Sequence, residues 1–165
     1  MAVEFIDFSI KVTEAMEEAV VAALHEAAGE LESRTIRNSS NREYPQEYAH
    51  GLWDHVVNRE EKSAAVGSPY EAAYWEEFGT GEHALNGDGR KGWWVYIEGK
   101  EEGKGGKSYS TKAEAEEAAE FLRKVKKLDA VVTNGYDPNR PLFRAFQSGR
   151  PVVERIFEAK LKGLG

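Results

Sequence analysis

The hydrophobic positions along the chain follow a helical period first and a strand period later. Between residues 13 and 35, apolar side chains recur every three or four positions, as expected for a helix with one buried face. This stripe consists of Met16, Val20, Leu24, Ala27 and Leu31. Thr13 precedes the pattern and is a residue type that favours the N-cap. We therefore predict a long N-terminal helix over residues 13–35.

Short strands are predicted on both sides of this helix. Residues 6–12 alternate apolar and polar side chains, which is the period of a strand, and a helical lead-in to the long helix is the alternative. Residues 52–57 and 63–67 are predicted to form a hairpin around the charged turn at residues 58–62. Residues 38–48 are polar and contain Pro45, so we expect an exposed loop there.

Aromatic side chains mark the next helix. Tyr70, Tyr74 and Phe78 are spaced four residues apart, which places them on one helical face, with Trp75 beside them. Gly79 follows directly, where a glycine commonly ends a helix. The pattern predicts a helix of about two turns that ends at Gly79.

The second half mixes glycine-rich loops, short strands and one capped helix. Residues 93–97 form a β-rich run that we expect to pair with a strand ending at Tyr109, across a flexible loop at residues 99–107. Thr111 and Glu114 have the spacing of a capping box, which predicts a helix reaching residue 128. The apolar face predicted for this helix comprises Ala118, Leu122 and Val125, with Phe121 and Leu128 beside it.

Two further helices are predicted at the C-terminal end. Residues 130–133 form a short strand, and a helix then begins at Leu142. Gly149 and Pro151 are expected to end that helix, since proline interrupts the helical hydrogen bonds. A last helix uses Val153, Ile156, Phe157 and Leu161. The whole pattern predicts an α+β fold, in which a long N-terminal helix and C-terminal helices pack on a small, mainly antiparallel sheet. We expect one domain over residues 1–165.

Composition narrows the class of protein. The chain has 165 residues, 41% of them hydrophobic, and a net charge of −7. Residues 1–80 hold 16 acids and 6 bases, whereas residues 81–165 hold 13 acids and 16 bases. An acidic total argues against a dedicated nucleic-acid binder, which needs clustered lysine and arginine. The N-terminus has no signal-peptide pattern and no stretch long enough to span a membrane, so we expect the protein in a cytoplasm without membrane contact.

No set of residues has the spacing of a catalytic or metal site. The chain has no cysteine, which excludes thiolate chemistry and cysteine-based metal sites. His50 and His55 flank Asp54, but a spacing of five places the two imidazoles about 140° apart on a helix and on opposite faces of a strand. The glycine-rich segments lack the ending of a phosphate-binding loop. We expect no enzyme activity, no cofactor and no bound metal.

Three segments carry motifs in a fixed order. The first follows Val66-Gly67 and comprises Tyr70, Ala73, Tyr74, Glu77, Phe78, Gly79, Thr80 and Gly81. The second comprises Asn86-Gly87, Arg90-Lys91 and Trp94-Val95-Tyr96. The third comprises Pro138, Arg140-Pro141-Leu142 and Ala145-Phe146. Together they resemble the siphophage head-to-tail joining, or tail-completion, proteins, which are minor tail or minor capsid proteins of tailed bacteriophages carrying a Tyr-x-Glu-Phe-Gly-Thr-Gly motif.

This chain departs from the family pattern in three places. Ala73 lies one position later than the usual alanine. The common Thr-Gly-x-Leu-Arg element before the first hairpin is not clearly present near residues 50–54. Residues 99–128 resemble a helical insertion.

The resemblance implies a structural virion protein and no reaction. Such a protein would be assembled in the bacterial cytoplasm and would lie in the neck or upper tail of the virion, as part of a head-tail connector or tail-completion ring. The implied partners are copies of itself, as a hexamer, and neighbouring connector, tail-terminator or tail-tube subunits, with passing contact to DNA. The candidate interface residues are Tyr74, Glu77, Phe78, Gly79, Thr80, Gly81, Arg140, Pro141 and Phe143.

Two alternatives remain open from the sequence. Residues 78–81 form either an ordinary helix cap or a contact surface. The chain could also be a nucleic-acid-binding accessory protein of a phage or prophage. That reading depends on basic residues of the second half, namely Lys100, Lys104, Lys107, Lys112, Arg123, Lys124, Lys126 and Lys127.

Overall fold

The computed structural model describes residues 9–39, 51–97 and 106–163, and it has a mixed α+β fold. Its helices are α1 (Ser9–Ser39), α2 (Glu71–Phe78), α3 (Lys112–Val125) and α4 (Pro141–Lys162), with a 3-10 turn at Gly81–His83. Its strands are β1 (Asp54–Asn58), β2 (Ser63–Gly67), β3 (Trp93–Ile97), β4 (Ser108–Tyr109) and β5 (Ala130–Thr133). Both sheets are antiparallel, one of two strands and one ordered β4-β3-β5. The predicted α+β class is confirmed.

The chain divides into two compact units. The first unit comprises residues 1–73 and 140–165, and it contains α1, the β1-β2 hairpin and α4. The second unit comprises residues 74–139, and it contains the three-stranded sheet, α3 and most of α2. A single domain over residues 1–165, with an insertion at residues 99–128, stays a prediction.

In the first unit, α1 packs along α4 through small side chains. The buried alanines of the two helices are Ala23, Ala27, Ala28 and Ala145. Gly149 of α4 faces Leu31 so closely that a Cβ there would lie 2.5 Å from Leu31 Cδ2. The absence of a side chain at Gly149 is therefore what gives Leu31 its space, as close packing in protein interiors requires.

The N-terminal end of α1 differs from the prediction. The helix begins at Ser9, so Ile10 and Val12 are helical, and the predicted strand is wrong over its described part. Thr13 lies inside the helix and is not its N-cap. A helix satisfies its own backbone hydrogen bonds, whereas an isolated strand needs a partner, and this favours the helical alternative. Residues 6–8 lie outside the described residues.

The C-terminal end of α1 also extends beyond the prediction. Asn38 and Ser39, expected to start a loop, belong to the helix. Trp53 Nε1 donates to Ser39 Oγ over 2.8 Å, and Asn38 Nδ2 donates to the Pro141 carbonyl oxygen over 3.0 Å. These tertiary bonds engage polar side chains that otherwise favour turns. The rest of the predicted loop, residues 40–48, lies outside the described residues.

Burial along α1 increases toward its C-terminal end. Met16 of the predicted stripe is exposed, Val20 and Leu24 are half-buried, and Ala27 and Leu31 are buried. The stripe is therefore confirmed only in its second half. The hydrophobic cluster at that end consists of Ile36, Leu52, Trp53 and Ala73.

The predicted hairpin and the predicted sheet strands are confirmed, but the first hairpin strand runs from Asp54 to Asn58 and not over residues 52–57, because Leu52 is helical. In the hairpin, Asp54 pairs with Gly67 and Asn58 pairs with Ser63. In the second unit, β3 is the central strand, with Trp94 opposite Thr133 of β5 and Ser108 of β4.

Helix α3 has the predicted cap but a different buried face. Thr111 Oγ1 accepts from the Glu114 N–H over 3.3 Å, and Glu114 Oε2 accepts from the Thr111 N–H over 3.2 Å, so the capping box is confirmed. The buried residues are Ala115 and Ala119. Val125 of the predicted face is instead largely exposed, at 59%, and so is the adjoining Phe121, at 56%. Small alanines let the helix backbone approach the sheet closely, and the larger side chains flank that contact.

Helix α4 is continuous from Pro141 to Lys162, so the predicted break is wrong. Pro151 lies inside the helix, where a proline costs about 3 kcal/mol through its missing N–H and its ring. Residues of α4 on both sides of Pro151 are buried or half-buried, including Ala145, Ile156 and Phe157. Packing on both sides of the proline offsets its local cost, and the helix continues through it.

Candidate functional site

The motif that follows α2 forms the centre of the second unit. The Gly-Thr-Gly segment, residues Gly79, Thr80 and Gly81, leaves α2 with Gly79 in the left-handed region at φ +76°. The Gly79 N–H donates to the Trp75 carbonyl oxygen over 2.7 Å. Gly79 is therefore a helix C-cap, as its position predicted.

Residues 134–139 run alongside the Gly-Thr-Gly segment and bond to its backbone. The Thr80 N–H donates to the Tyr136 carbonyl oxygen over 3.0 Å, and the Glu82 N–H donates to the Asn134 carbonyl oxygen over 2.9 Å. The Tyr136 N–H donates in turn to Thr80 Oγ1 over 3.2 Å. Thr80 therefore holds this neighbouring segment by both its backbone and its hydroxyl.

The contact leaves no room for a side chain at three glycines. A Cβ at Gly79 would lie 2.9 Å from Pro138, and a Cβ at Gly81 would lie 2.0 Å from the Asn134 carbonyl oxygen. A Cβ at Gly135 would lie 2.0 Å from the Thr80 carbonyl oxygen. All three glycines also have positive φ, which side-chain-bearing residues rarely adopt. The glycines of the motif are explained by backbone approach within the subunit.

Side chains extend the contact to the other two motifs. Asn86 Nδ2 donates to Tyr74 Oη over 2.9 Å, which joins the second motif to the first. Asn139 donates to Glu76 twice, from its N–H to the carbonyl oxygen over 2.9 Å and from Nδ2 to Oε1 over 2.8 Å. Residues far apart in the sequence therefore form one hydrogen-bonded cluster.

A shallow cavity of about 270 Å³ lies beside the Gly-Thr-Gly segment. Its lining residues are Tyr74, Trp75, Gly79, Thr80, Gly81, Ala84, Asp88, Gly89, Arg90 and Trp94. The Arg90 guanidinium lies 4.9 Å from the centre of the Trp94 ring, and its Nε donates to Ser108 Oγ over 2.8 Å. No side chain in this lining is a nucleophile hydrogen-bonded to a general base. The cavity is a shallow depression in the surface.

The predicted interface residues differ in their accessibility. Tyr74 is 44% exposed and Phe143 is 39% exposed. Phe78, Thr80 and Arg140 are half-buried. Buried within the described chain are Glu77, Gly79, Gly81 and Pro141. Glu77 is only 8% exposed, so little of its surface is accessible at the end of α2. An interface role for the set stays a prediction.

The second group of candidates lies at the start of α4. Arg140 is the N-cap in the left-handed region at φ +56°, and Pro141 is the first helical residue. The Arg140 guanidinium lies 3.7 Å from the centre of the Phe143 ring. Arg144 donates to the Asn38 carbonyl oxygen over 3.0 Å, which ties this turn to α1. At this turn, the Arg140 guanidinium therefore covers one side of the exposed Phe143 ring.

Basic residues of the second half are mostly engaged locally. Lys107 lies over the Tyr109 ring at 5.1 Å, and Lys112 lies over the Trp93 ring at 5.6 Å. Arg123 Nε donates to the Ala130 carbonyl oxygen over 2.7 Å. These contacts lower the number of cations that a nucleic-acid backbone could bind. Lys100 and Lys104 lie outside the described residues.

Lys124 is also paired within α3. Its Nζ donates to Glu120 Oε2 over 2.9 Å, and this hydrogen bond lowers the pKa of the Glu120 carboxyl below its ordinary value. The charge of Lys124 is thus partly neutralised one helical turn away.

Packing between distant parts of the chain forms one cluster of potential metal ligands that residue spacing in the sequence did not predict. Glu32 of α1 and Asp54 and His55 of β1 bring their side-chain ligand atoms within 4.8 Å of one another. His50 lies outside the described residues. The spacing of His50 and His55 gave no signal for this cluster, because its third member is Glu32, which lies 23 positions before His55. Only the packing of the hairpin on α1 brings it there.

No protein-family model matches this chain, and neither a curated protein nor a solved structure matches it. Its function is therefore inferred from the geometry above and from the three motifs.

Among the described helices, none is both long enough and apolar enough to cross a bilayer.

Proposed function

We propose that this chain is a structural protein of a tailed bacteriophage, a ring-forming subunit of the neck or of the head-proximal end of the tail, without enzyme activity. The observation that carries the proposal is the mutual contact of the three motifs. Tyr74 bonds to Asn86, and Gly79 lies directly against Pro138, so residues of each motif meet in one cluster. The bond between Glu76 and Asn139, which lie within the first and third segments, adds to this contact. The resemblance is thus supported by residues that act together in the fold.

The hydrogen-bonded cluster of the three motifs would serve assembly because it holds the binding surfaces of the subunit in fixed positions. A ring is built when one surface of a subunit binds a different surface of the next copy. Rigid surfaces lose less entropy on binding than mobile ones. The backbone bonds around Thr80 fix the end of α2, and therefore fix Tyr74, whose ring packs at 4.8 Å against Phe78.

The exposed aromatic residues are the strongest candidates for the ring contacts. Tyr74 belongs to the second unit and Phe143 to the first, so the candidate set provides one exposed patch on each unit. Tyrosine, phenylalanine and arginine are enriched at protein interfaces. Phe143 also has Arg140 beside it. The proposed partners are further copies, as a hexamer, and connector, tail-terminator or tail-tube subunits.

Deleting the gene from a phage or prophage that encodes it tests this proposal. We expect electron micrographs to show complete heads and complete tails that remain unjoined, with joining restored by the chain supplied in trans. Normal virions after deletion would contradict the proposal.

DNA binding separates the proposal from the nucleic-acid alternative. We expect no saturable binding of duplex DNA by the purified chain at about 0.15 M salt, because its total charge is negative and several basic side chains of its second half have partners within the chain. Tight, salt-dependent binding would favour the accessory-protein reading.

A further inference from the structure

A histidine and two carboxylates meet where the hairpin packs on α1. In the His-carboxylate cluster of Glu32, Asp54 and His55, the side-chain ligand atoms all lie within 4.8 Å of one another. His55 Nδ1 is 2.5 Å from Glu32 Oε2. The ligands of a zinc ion lie about 2 Å from the metal and therefore at most about 4 Å from one another, so small side-chain rotations would bring all three groups onto one ion.

The backbone keeps these side chains together. Glu32 belongs to a helix and His55 to a strand that pack against each other within the first unit. Gly29 lies one helical turn before Glu32, and a Cβ there would be 3.9 Å from His55 Cε1. Asp54 Oδ1 accepts from the His55 N–H over 2.7 Å, which orients that carboxylate beside the imidazole.

The cluster is accessible to solvent and has the donor types of a transition-metal site. The side chains of His55 and Glu32 are 27% and 22% exposed, and Asp54 is exposed. Imidazole nitrogen suits zinc and similar divalent ions, whereas magnesium and calcium prefer oxygen ligands alone. A second imidazole, His25, lies edge-on to His55 with 6.4 Å between the ring centres.

We propose that Glu32, Asp54 and His55 bind one divalent transition-metal ion of the zinc class. To bind the ion, His55 Nδ1 gives up its hydrogen bond to Glu32 Oε2, and the neutral imidazole carries its proton on Nε2. The ion then crosslinks α1 to β1. This site is independent of the proposed virion function, since it rests on the first unit's packing alone.

Titration with Zn²⁺ tests the site directly. The full chain, first stripped with a chelator, is titrated with zinc chloride in a calorimeter and then heated. We expect one ion per chain and a higher thermal midpoint, with no such rise for Mg²⁺ at equal concentration. Absence of saturable Zn²⁺ binding would overturn the proposal.

Matched variants locate the ion. Asp54→Asn keeps the acceptor for the His55 N–H at an exposed position, and Glu32→Gln keeps the side chain's size. Each is expected to weaken Zn²⁺ binding at least about tenfold, since ligand and near-ligand changes cost that much or more. The control is His83→Gln, which removes another histidine-carboxylate pair, His83 Nδ1 to Asp137 Oδ1 at 2.8 Å.

We expect the control to bind zinc like the unmodified chain. Wild-type affinity in both cluster variants, or an equal loss in the control, would overturn the assignment. Circular dichroism checks the fold of each variant, and if Glu32→Gln unfolds, the result for Asp54→Asn decides.

Discussion

The first unit is held by two long helices that pack through alanine and glycine, whereas the second is held by backbone hydrogen bonds around three glycines. In the first, Gly149 makes room for a side chain, Leu31. In the second, Gly81 makes room for a carbonyl group, that of Asn134. A side chain can move aside and a backbone segment cannot, so the two units should differ in their tolerance of the same substitution.

The largest expected effect is that of Gly81→Ala in the second unit. Its new Cβ would meet the Asn134 carbonyl oxygen at a positive φ, so we expect a loss of about 3 kcal/mol or more in the free energy of unfolding. The control is Gly87→Ala, which has φ +71° but no heavy atom within 4 Å of the new Cβ, and should cost about 1 kcal/mol. Urea unfolding and amide exchange at residues 134–139 measure both. Equal costs would show that conformation alone, without crowding, explains these glycines.

A smaller effect is expected for Gly149→Ala in the first unit. The new Cβ would approach Leu31 Cδ2, the far end of a flexible side chain, so we expect a loss of about 1–2 kcal/mol. Gly29→Ala on α1 is the matched control, since its Cβ meets only ordinary contact with His55 at 3.9 Å. That variant should gain up to about 1 kcal/mol from helix propensity. Stabilisation by both substitutions would mean that α1 and α4 do not approach closely at Gly149.

The smallest effect is expected at the cap of α3. Thr111→Ala removes the oxygen that accepts from the Glu114 N–H and should cost about 1 kcal/mol. Ser110→Ala, one residue earlier, keeps the Ser110 N–H bond to Glu114 and should change stability by less than about 0.5 kcal/mol. Thermal unfolding of the two variants compares them. An equal loss in both would remove the capping box as the cause.

The two units also differ in how well their helices and strands could be predicted from the sequence. Elements of the second unit are set by neighbouring residues: Thr111 with Glu114 starts α3, and Gly79 ends α2. These signals are local, so the predicted start of α3 and the predicted end of α2 agree with the structure, whereas α3 ends at Val125 and not at the predicted residue 128. The approach of Asn134 to Gly81 joins residues that are distant in the sequence. No local pattern could therefore predict it.

Elements of the first unit depend on partners that the sequence does not reveal. Ser39 stays helical while bonded to Trp53, and Pro151 stays inside α4 while that helix packs on α1. Propensity alone predicted a loop at the first position and a break at the second. The His-carboxylate cluster was missed for the same reason, because Glu32 reaches His55 only through tertiary packing.

The central claim is that this chain forms rings through exposed patches at α2 and at the start of α4. Native mass spectrometry and analytical ultracentrifugation of the chain and of two variants test it most directly. Phe143→Asp places a charge in the candidate patch, and Phe121→Asp makes the same change at a more exposed ring outside every candidate segment. A charge that becomes buried at an interface is costly, so Phe143→Asp should weaken assembly. Both positions are exposed in the subunit, so both variants should fold.

We predict that the unmodified chain and Phe121→Asp form closed rings of one size, and that Phe143→Asp remains a folded monomer. A chain that stays monomeric at every concentration, or rings of Phe143→Asp as stable as those of Phe121→Asp, would contradict this account.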